Sequence, residues 1–334
     1  MRGWRIGLLG LAVSVIAIYF ILSQIDLAAT WEALRSARWV YALPCAVLIA
    51  IGLFTRALRW RALLDGVLPL NRAFHILNVA YLANGVLPLR LGELARAYLA
   101  SRADAQASIP LVLGTVVVER LLDLLSVLGL IALAASVALP GELGAAALAV
   151  APLSFIGLIV LVIAATRRDL ALRSVAWIAA RVPLLRRLDI AHLLDDFLKG
   201  LAPLTQPAAF ASIVGWSVVS WFFSIAAGYV IMLAFYPQGD WAASALFIAA
   251  ASLAIAVPAA PGSLGAYEAS IVLALGAFAA YGTPVETAAA FALVVHGLNL
   301  FMYAALGALG LLREGITLGQ LARGVSEARE QKAN

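Results

Sequence analysis

Charge is scarce in this chain. Lysine, arginine, aspartate and glutamate together make up 12% of its 334 residues, and 64% are hydrophobic. The mean hydropathy is +1.00. A soluble domain carries about twice that share of charge, so no substantial water-soluble domain is expected. Cysteine is all but missing: Cys45 stands alone in an apolar run, so no disulfide can form within the chain and the thiol reads as packing. Histidine occurs only at 75, 192 and 296, too far apart in sequence for a spaced metal motif. G-x-x-x-x-G-K-[ST], H-E-x-x-H and G-x-S-x-G are all missing. That excludes nucleotide hydrolysis by a P-loop, helix-borne zinc proteolysis and a nucleophile elbow. No cofactor, metal site or catalytic residue is expected. No low-complexity segment and no basic–aromatic pattern for nucleic acid occurs either.

What the chain has is long apolar runs. A spanning helix needs about 20 apolar residues and satisfies its own backbone hydrogen bonds, which open sheets cannot do in lipid. The expected fold is therefore an all-α integral membrane protein. Full spans are predicted near 6–22, 39–55, 109–138, 147–165, 208–234 and 285–312. The basic start, Met1 to Arg5, precedes an apolar run with no convincing cleavage site, so it is read as a retained helix. With the N-terminus cytoplasmic, 56–108, 166–207 and 313–334 lie inside. Of the 23 cationic residues only Arg35 and Arg38 then fall outside, with Arg120 inside a span. That asymmetry supports the orientation and puts both termini in the cytoplasm.

Two further apolar regions are interrupted. Region 73–100 is broken by Asn84, Gly85, Pro88 and Gly92, and region 242–281 by Pro258, Pro261, Gly262 and Gly265. Both read as re-entrant helical hairpins. The breaks carry related text, N-G-V-L-P-L-R-L-G-E from Asn84 to Glu93 and P-A-A-P-G-S-L-G-A-Y-E from Pro258 to Glu268. The chain thus divides into a first repeat, 1–140, and a second, inverted repeat, 141–315, followed by a polar tail, 316–334. Within the second repeat, 166–207 is a cytoplasmic linker with an amphipathic helix: Leu184, Leu188, Ala191, Leu194 and Leu198 share one face. Interrupted helices at matching places in inverted repeats are a transporter signature.

Charges inside such a bundle are costly and point to function. Glu119 and Asp123, four apart in the third span, share a face, with Arg120 turned about 100° away. They read either as an internal ion pair or as the wall of a headgroup cavity. Arg90, Glu93 and Arg96 recur every third residue beside Asn84, and arginine forks suit phosphate. Arg56, Arg59 and Arg61 are read as positive-inside anchors ending the second span, with lipid phosphate contact as the other reading. In the second hairpin the candidates are Pro261, Gly262, Gly265, Tyr267 and Glu268. A helix starting near Ser263 would aim free N–H groups at the break, and Glu268 in its first turn would complement the dipole. His296 and Asn299, three apart, form a candidate proton relay.

The strings R-A-L-R-W-R at 56–61, L-P-L-R-L-G-E-L-A-R-A-Y at 87–98, V-V-V-E-R-L-L-D at 116–123 and P-G-S-L-G-A-Y-E at 261–268 resemble the lysylphosphatidylglycerol synthase transmembrane-region family. The resemblance covers roughly 5–315. It implies a multi-span bundle that moves, or is proposed to move, lipids between leaflets. By match to its motifs, Arg90, Glu93, Arg96, Glu119, Arg120, Asp123, Pro261, Gly262, Gly265 and Glu268 carry over. Ser263 stands where many relatives have glycine, a departure expected to matter little. The synthase members continue into a soluble aminoacyl-transferase domain; this chain resembles the stand-alone branch, so synthase activity is not inherited.

The expected function is that of a lipid flippase in the bacterial inner membrane, taking a phosphate-bearing lipid through a polar cavity between the hairpins. One alternative is a membrane enzyme acting on lipid-linked substrates. Another is a non-transporting scaffold for a lipid-biosynthetic enzyme. Membrane lipids are the expected partners, and Gly307 to Gly310 would allow close packing of a second copy.

Overall fold

The computed structural model describes residues 19, 25–87, 91–138, 145, 152–167, 169, 173, 202–256 and 261–330. Among these there is no strand. The helices are α1 (Leu27–Ser36), α2 (Ala42–Leu63), α3 (Leu70–Val86), α4 (Gly92–Ala103), α5 (Ile109–Ala138), α6 (Pro152–Thr166), α7 (Pro207–Phe235), α8 (Trp241–Ala256), α9 (Ala266–Gly276), α10 (Val285–Glu314) and α11 (Leu318–Glu330). Most of the expected span 6–22 and most of the linker 166–207 lie outside the described residues, as does Arg90.

Four stretches are long and apolar enough to cross a membrane: Trp39–Leu63, Ile109–Ala138, Pro207–Phe235 and Val285–Glu314. Their outward faces stay apolar. On α2 Leu43, Val47, Ile51 and Phe54 are exposed at helical spacing, the stripe that hydrocarbon would cover. The chain is a multi-pass membrane protein.

Local chemistry sets the helix ends. Asp26 caps α1, its carboxylate accepting from the Ala28 and Ala29 N–H groups at 2.7 and 3.3 Å. Arg38 reaches the open C-terminal end of α7, donating to the Leu233 carbonyl and, at 3.2 Å, to that of Tyr236; a cation there also meets the negative end of the helix dipole. The interrupted regions are two helix–break–helix pairs, α3 with α4 and α8 with α9, each pair packed together.

Two expected helix limits change. The second span does not close at 55: α2 continues to Leu63 and carries Arg56 and Arg59 within it, because α5 supplies carboxylates for Arg59. The second helix of the later pair begins at Ala266 rather than near Ser263. The polar tail expected from 316 carries a helix: α11 buries Leu321 and Val325 and packs on α4.

The packing partners are exchanged between two sets of four helices, α2–α5 and α7–α10. The leading helices α2 and α7 pack on each other. The first arm α3 packs on α10, the last helix of the other set, and α8 packs on α5 in the same way. Each second arm then packs on its own following helix, α4 on α5 and α9 on α10. The close approach of α10 to α3 uses Gly307 and Gly310. A Cβ at Gly307 would meet Leu82, and one at Gly310 would lie 2.7 Å from the His75 carbonyl oxygen. These glycines therefore serve packing within the chain.

Candidate functional site

The site starts from an ion cluster where α2, α4 and α5 meet. Arg59, 3% exposed, grips Asp123 with two nitrogens at 2.6 and 3.3 Å, and its Nε lies 3.6 Å from Glu119. Glu119 and Asp123 project from one face of α5, so a single guanidinium meets both. Arg96 on α4 donates to the other Glu119 oxygen at 2.5 Å. Its guanidinium carbon sits 3.9 Å from the Trp60 ring centroid, so an aromatic face covers nitrogens that have no hydrogen-bond partner. Trp60 is held in turn by its indole N–H to the Thr115 hydroxyl, 3.2 Å away. Two cations thus offset two carboxylates, with Arg59, Arg96 and Glu119 buried and Asp123 at the cavity edge.

Glu93, in the first turn of α4, accepts from Arg120 at 2.9 and 3.1 Å. This pair is half open, with the Arg120 side chain 47% exposed. Arg120 lies between the exposed Val117 and Leu124 on α5, so a cation interrupts an otherwise lipid-facing stripe.

The first break is closed by Asn84, whose side-chain oxygen accepts the Gly92 N–H at 2.9 Å. Gly92 has no room for a side chain: a Cβ there would run into the Ala80 carbonyl oxygen. At the second break Pro261 opens a short turn, with Gly262 at φ 70 and Ser263 at φ 56. Ser263, expected to be an indifferent departure from glycine, sits in left-handed backbone where glycine is favoured. Gly265, at φ 83, caps α9. The Glu268 carboxylate returns to the Gly265 N–H at 2.7 Å and meets His296 Nδ1 at 2.6 Å. The anion position expected at this helix start is therefore filled by the chain's own carboxylate. The Tyr267 ring stacks on His296 with centroids 4.2 Å apart.

Between the two breaks lies a cavity of about 310 Å³. Asn84, Arg120 and Asp123 face it from one side, and Gly262, Tyr267, His296 and Asn299 from the other. The breaks touch where Gly262 approaches the Gly85 carbonyl. Asn299 anchors its amide nitrogen on the Val295 carbonyl at 2.8 Å. Glu93, Arg96, Glu119 and Glu268, all expected around the headgroup, do not line this cavity; their charges are taken up by neighbours.

Sequence reasoning left the residue at the centre among the positive-inside anchors, with lipid phosphate contact only as its other reading. Arg56 lines this cavity and a smaller one of about 90 Å³ beside it. Its guanidinium donates only to neutral oxygens, Tyr81 at 3.4 Å and Ser224 at 3.3 Å, and no carboxylate among the described residues pairs with it. Tyr303, stacked on Tyr81 with centroids 5.1 Å apart, completes the collar. The available signal was spacing: Arg56 and Arg59, three apart, share a side of a continuous helix.

No described group of three histidine, cysteine, aspartate or glutamate side chains is arranged to hold a metal ion.

Comparison with known proteins follows the same line. A family model described as the lysylphosphatidylglycerol synthase TM region matches residues 7–307. No curated protein and no solved structure matches the chain. The chain belongs to the lysylphosphatidylglycerol synthase TM-region family.

Proposed function

We propose that this family member is a lipid transporter of the bacterial inner membrane that moves a phosphate-bearing lipid between leaflets, holding the headgroup in the larger cavity. The carrying observation is Arg56, a cation with no carboxylate partner among the described residues, which lines that cavity and the smaller one. The other arginines of the cluster already have acidic partners. Arg56 offers planar, paired donors to an anion that phosphate would match. Arg120 stands at the lipid-facing side of the same space and could take a second phosphate oxygen by exchanging it for Glu93. Acyl chains would remain in lipid along the apolar stripe of α5. A headgroup crossing bare hydrocarbon would leave polar atoms unsatisfied, each at several kcal/mol; the tyrosine, serine and asparagine groups around Arg56 would replace that lost water.

The exchanged packing of α2–α5 with α7–α10 supports an inverted repeat, with the two helix pairs as re-entrant hairpins and both termini in the cytoplasm. In that arrangement the breaks meet near the middle of the membrane, where transporters bind their cargo.

The test is lipid movement in vesicles reconstituted with the full chain, read as fluorescent phosphatidylglycerol becoming accessible to dithionite. Arg56→Ala should slow the rate by about 10- to 100-fold, the loss of one or more hydrogen bonds from a charged group. Arg56→Lys should recover part of it. A wild-type rate equal to that of protein-free vesicles for phosphate-bearing lipids would sink the reading.

A further inference from the structure

We propose that the Glu268–His296 pair takes up a proton from the cavity when the anionic headgroup binds, which makes the proton the coupling ion. This rests on the lipid-moving reading above. The pair is buried, at 6% and 5% exposure. Glu268 uses one oxygen on the Gly265 N–H and the other on His296 Nδ1. An imidazole beside a carboxylate donates from the nitrogen that faces it, so Nδ1 carries a hydrogen in both protonation states. The nitrogen that gains or loses a proton is then Nε2. His296 lines the larger cavity, so its ring stands at the wall of the space the headgroup would occupy.

The step is a simple protonation. A neutral imidazole and a proton give an imidazolium, and the pair passes from one negative charge to none. The cavity becomes one charge more positive on the side opposite Arg120. Bound phosphate and bound proton therefore favour each other, and by reciprocity each raises the other's affinity by the same factor. The titratable groups that share the larger cavity with His296 are Tyr267 on α9, Tyr303 further along α10, Arg56 from α2, Tyr81 from α3, and Arg120 and Asp123 from α5. The described part of α8 contributes none. Arg56 and Arg120 line the same cavity as His296, so a phosphate held there and an imidazolium attract each other across one space. The same carboxylate holds the break at Gly265, so a change of charge at His296 acts on the left-handed segment Gly262–Ser263–Gly265 as well.

Two measurements test this. In detergent and weak buffer, adding short-chain dioctanoyl phosphatidylglycerol to the wild-type chain should draw protons from solution, and His296→Gln should abolish the uptake. In vesicles, a pH difference of one unit should concentrate labelled phosphatidylglycerol in the leaflet facing the alkaline side by up to about tenfold, since one unit is worth a factor of ten. The asymmetry is a ratio within each protein, so a slow variant is still informative. His296→Gln should give equal distribution. Wild-type lipid movement without asymmetry, or asymmetry that survives His296→Gln, overturns the proposal and leaves the lipid-moving reading standing. If the wild-type chain moves no lipid, that reading fails, and absence of proton uptake in detergent overturns the coupling by itself.

Discussion

Arg59 and Arg96 are charges withdrawn from water, and each is tolerable only because a carboxylate was withdrawn with it. Removing one member leaves its partner buried and uncompensated, at about 3–5 kcal/mol. Arg59→Met should therefore lower the thermal unfolding midpoint sharply in detergent. Arg59→Met combined with Asp123→Leu should recover part of the loss, because no charge of that pair is then stranded. If the double variant were less stable than the sum of its single changes, the closed ion set would be the wrong account. A residue outside this set behaves oppositely. Ser263, at φ 56, holds a backbone shape that costs an L-residue roughly 1–2 kcal/mol relative to glycine. Ser263→Gly should raise the unfolding midpoint, less a few tenths for the freer unfolded chain; a lower midpoint would mean that the hydroxyl itself is needed at the cavity wall.

The helices show how far sequence carries. Both interrupted pairs are legible because proline and glycine cannot sit inside a helix without a local reason, and here they mark each break. The limits of Ile109–Ala138 agree with the sequence reading to the residue. The end of α2 was not legible. Three arginines in six residues look like a membrane boundary, and the carboxylate that admits Arg59 lies 64 positions away in the chain. Spacing along one helix cannot show a partner on another. Tyr81, Ser224 and Tyr303 were missed for the same reason: nothing in an apolar run separates a hydroxyl that meets Arg56 from one that does not. The pairing of Arg96 with Glu119 rather than Glu93 likewise depends on which faces of α4 and α5 meet. Close approaches between helices give the clearest test at this scale. Gly92→Ala places a methyl group against the Ala80 carbonyl and Asn84, so overpacking should cost about 1–3 kcal/mol. Gly310→Val should do the same through the His75 carbonyl and Val79. Thermal unfolding of purified variants measures both, and an unchanged midpoint would contradict the tight α3–α4 and α3–α10 contacts.

At the scale of the molecule, orientation is open to a direct check. In a Cys45→Ala background, Glu32→Cys on the exposed face of α1 and Gln106→Cys in the turn before α5 supply two accessible thiols. An impermeant maleimide applied to intact cells should label the first, and the second only after permeabilisation. The reverse pattern would invert the assigned orientation. The exchange of packing partners has a further bearing on how the chain holds together. Since α3 leans on α10 and α8 on α5, each set completes its core with residues of the other: Leu311 joins the cluster built on α2–α5, and Cys45, Ile49 and Leu53 join the one built on α7–α10. A chain severed between α6 and α7 should behave as two interdependent fragments: each lost to proteolysis when made alone, and both retained when made together. The covalent link would then matter for bringing the fragments together at equal dose, while the interlock between them does the work of a fold.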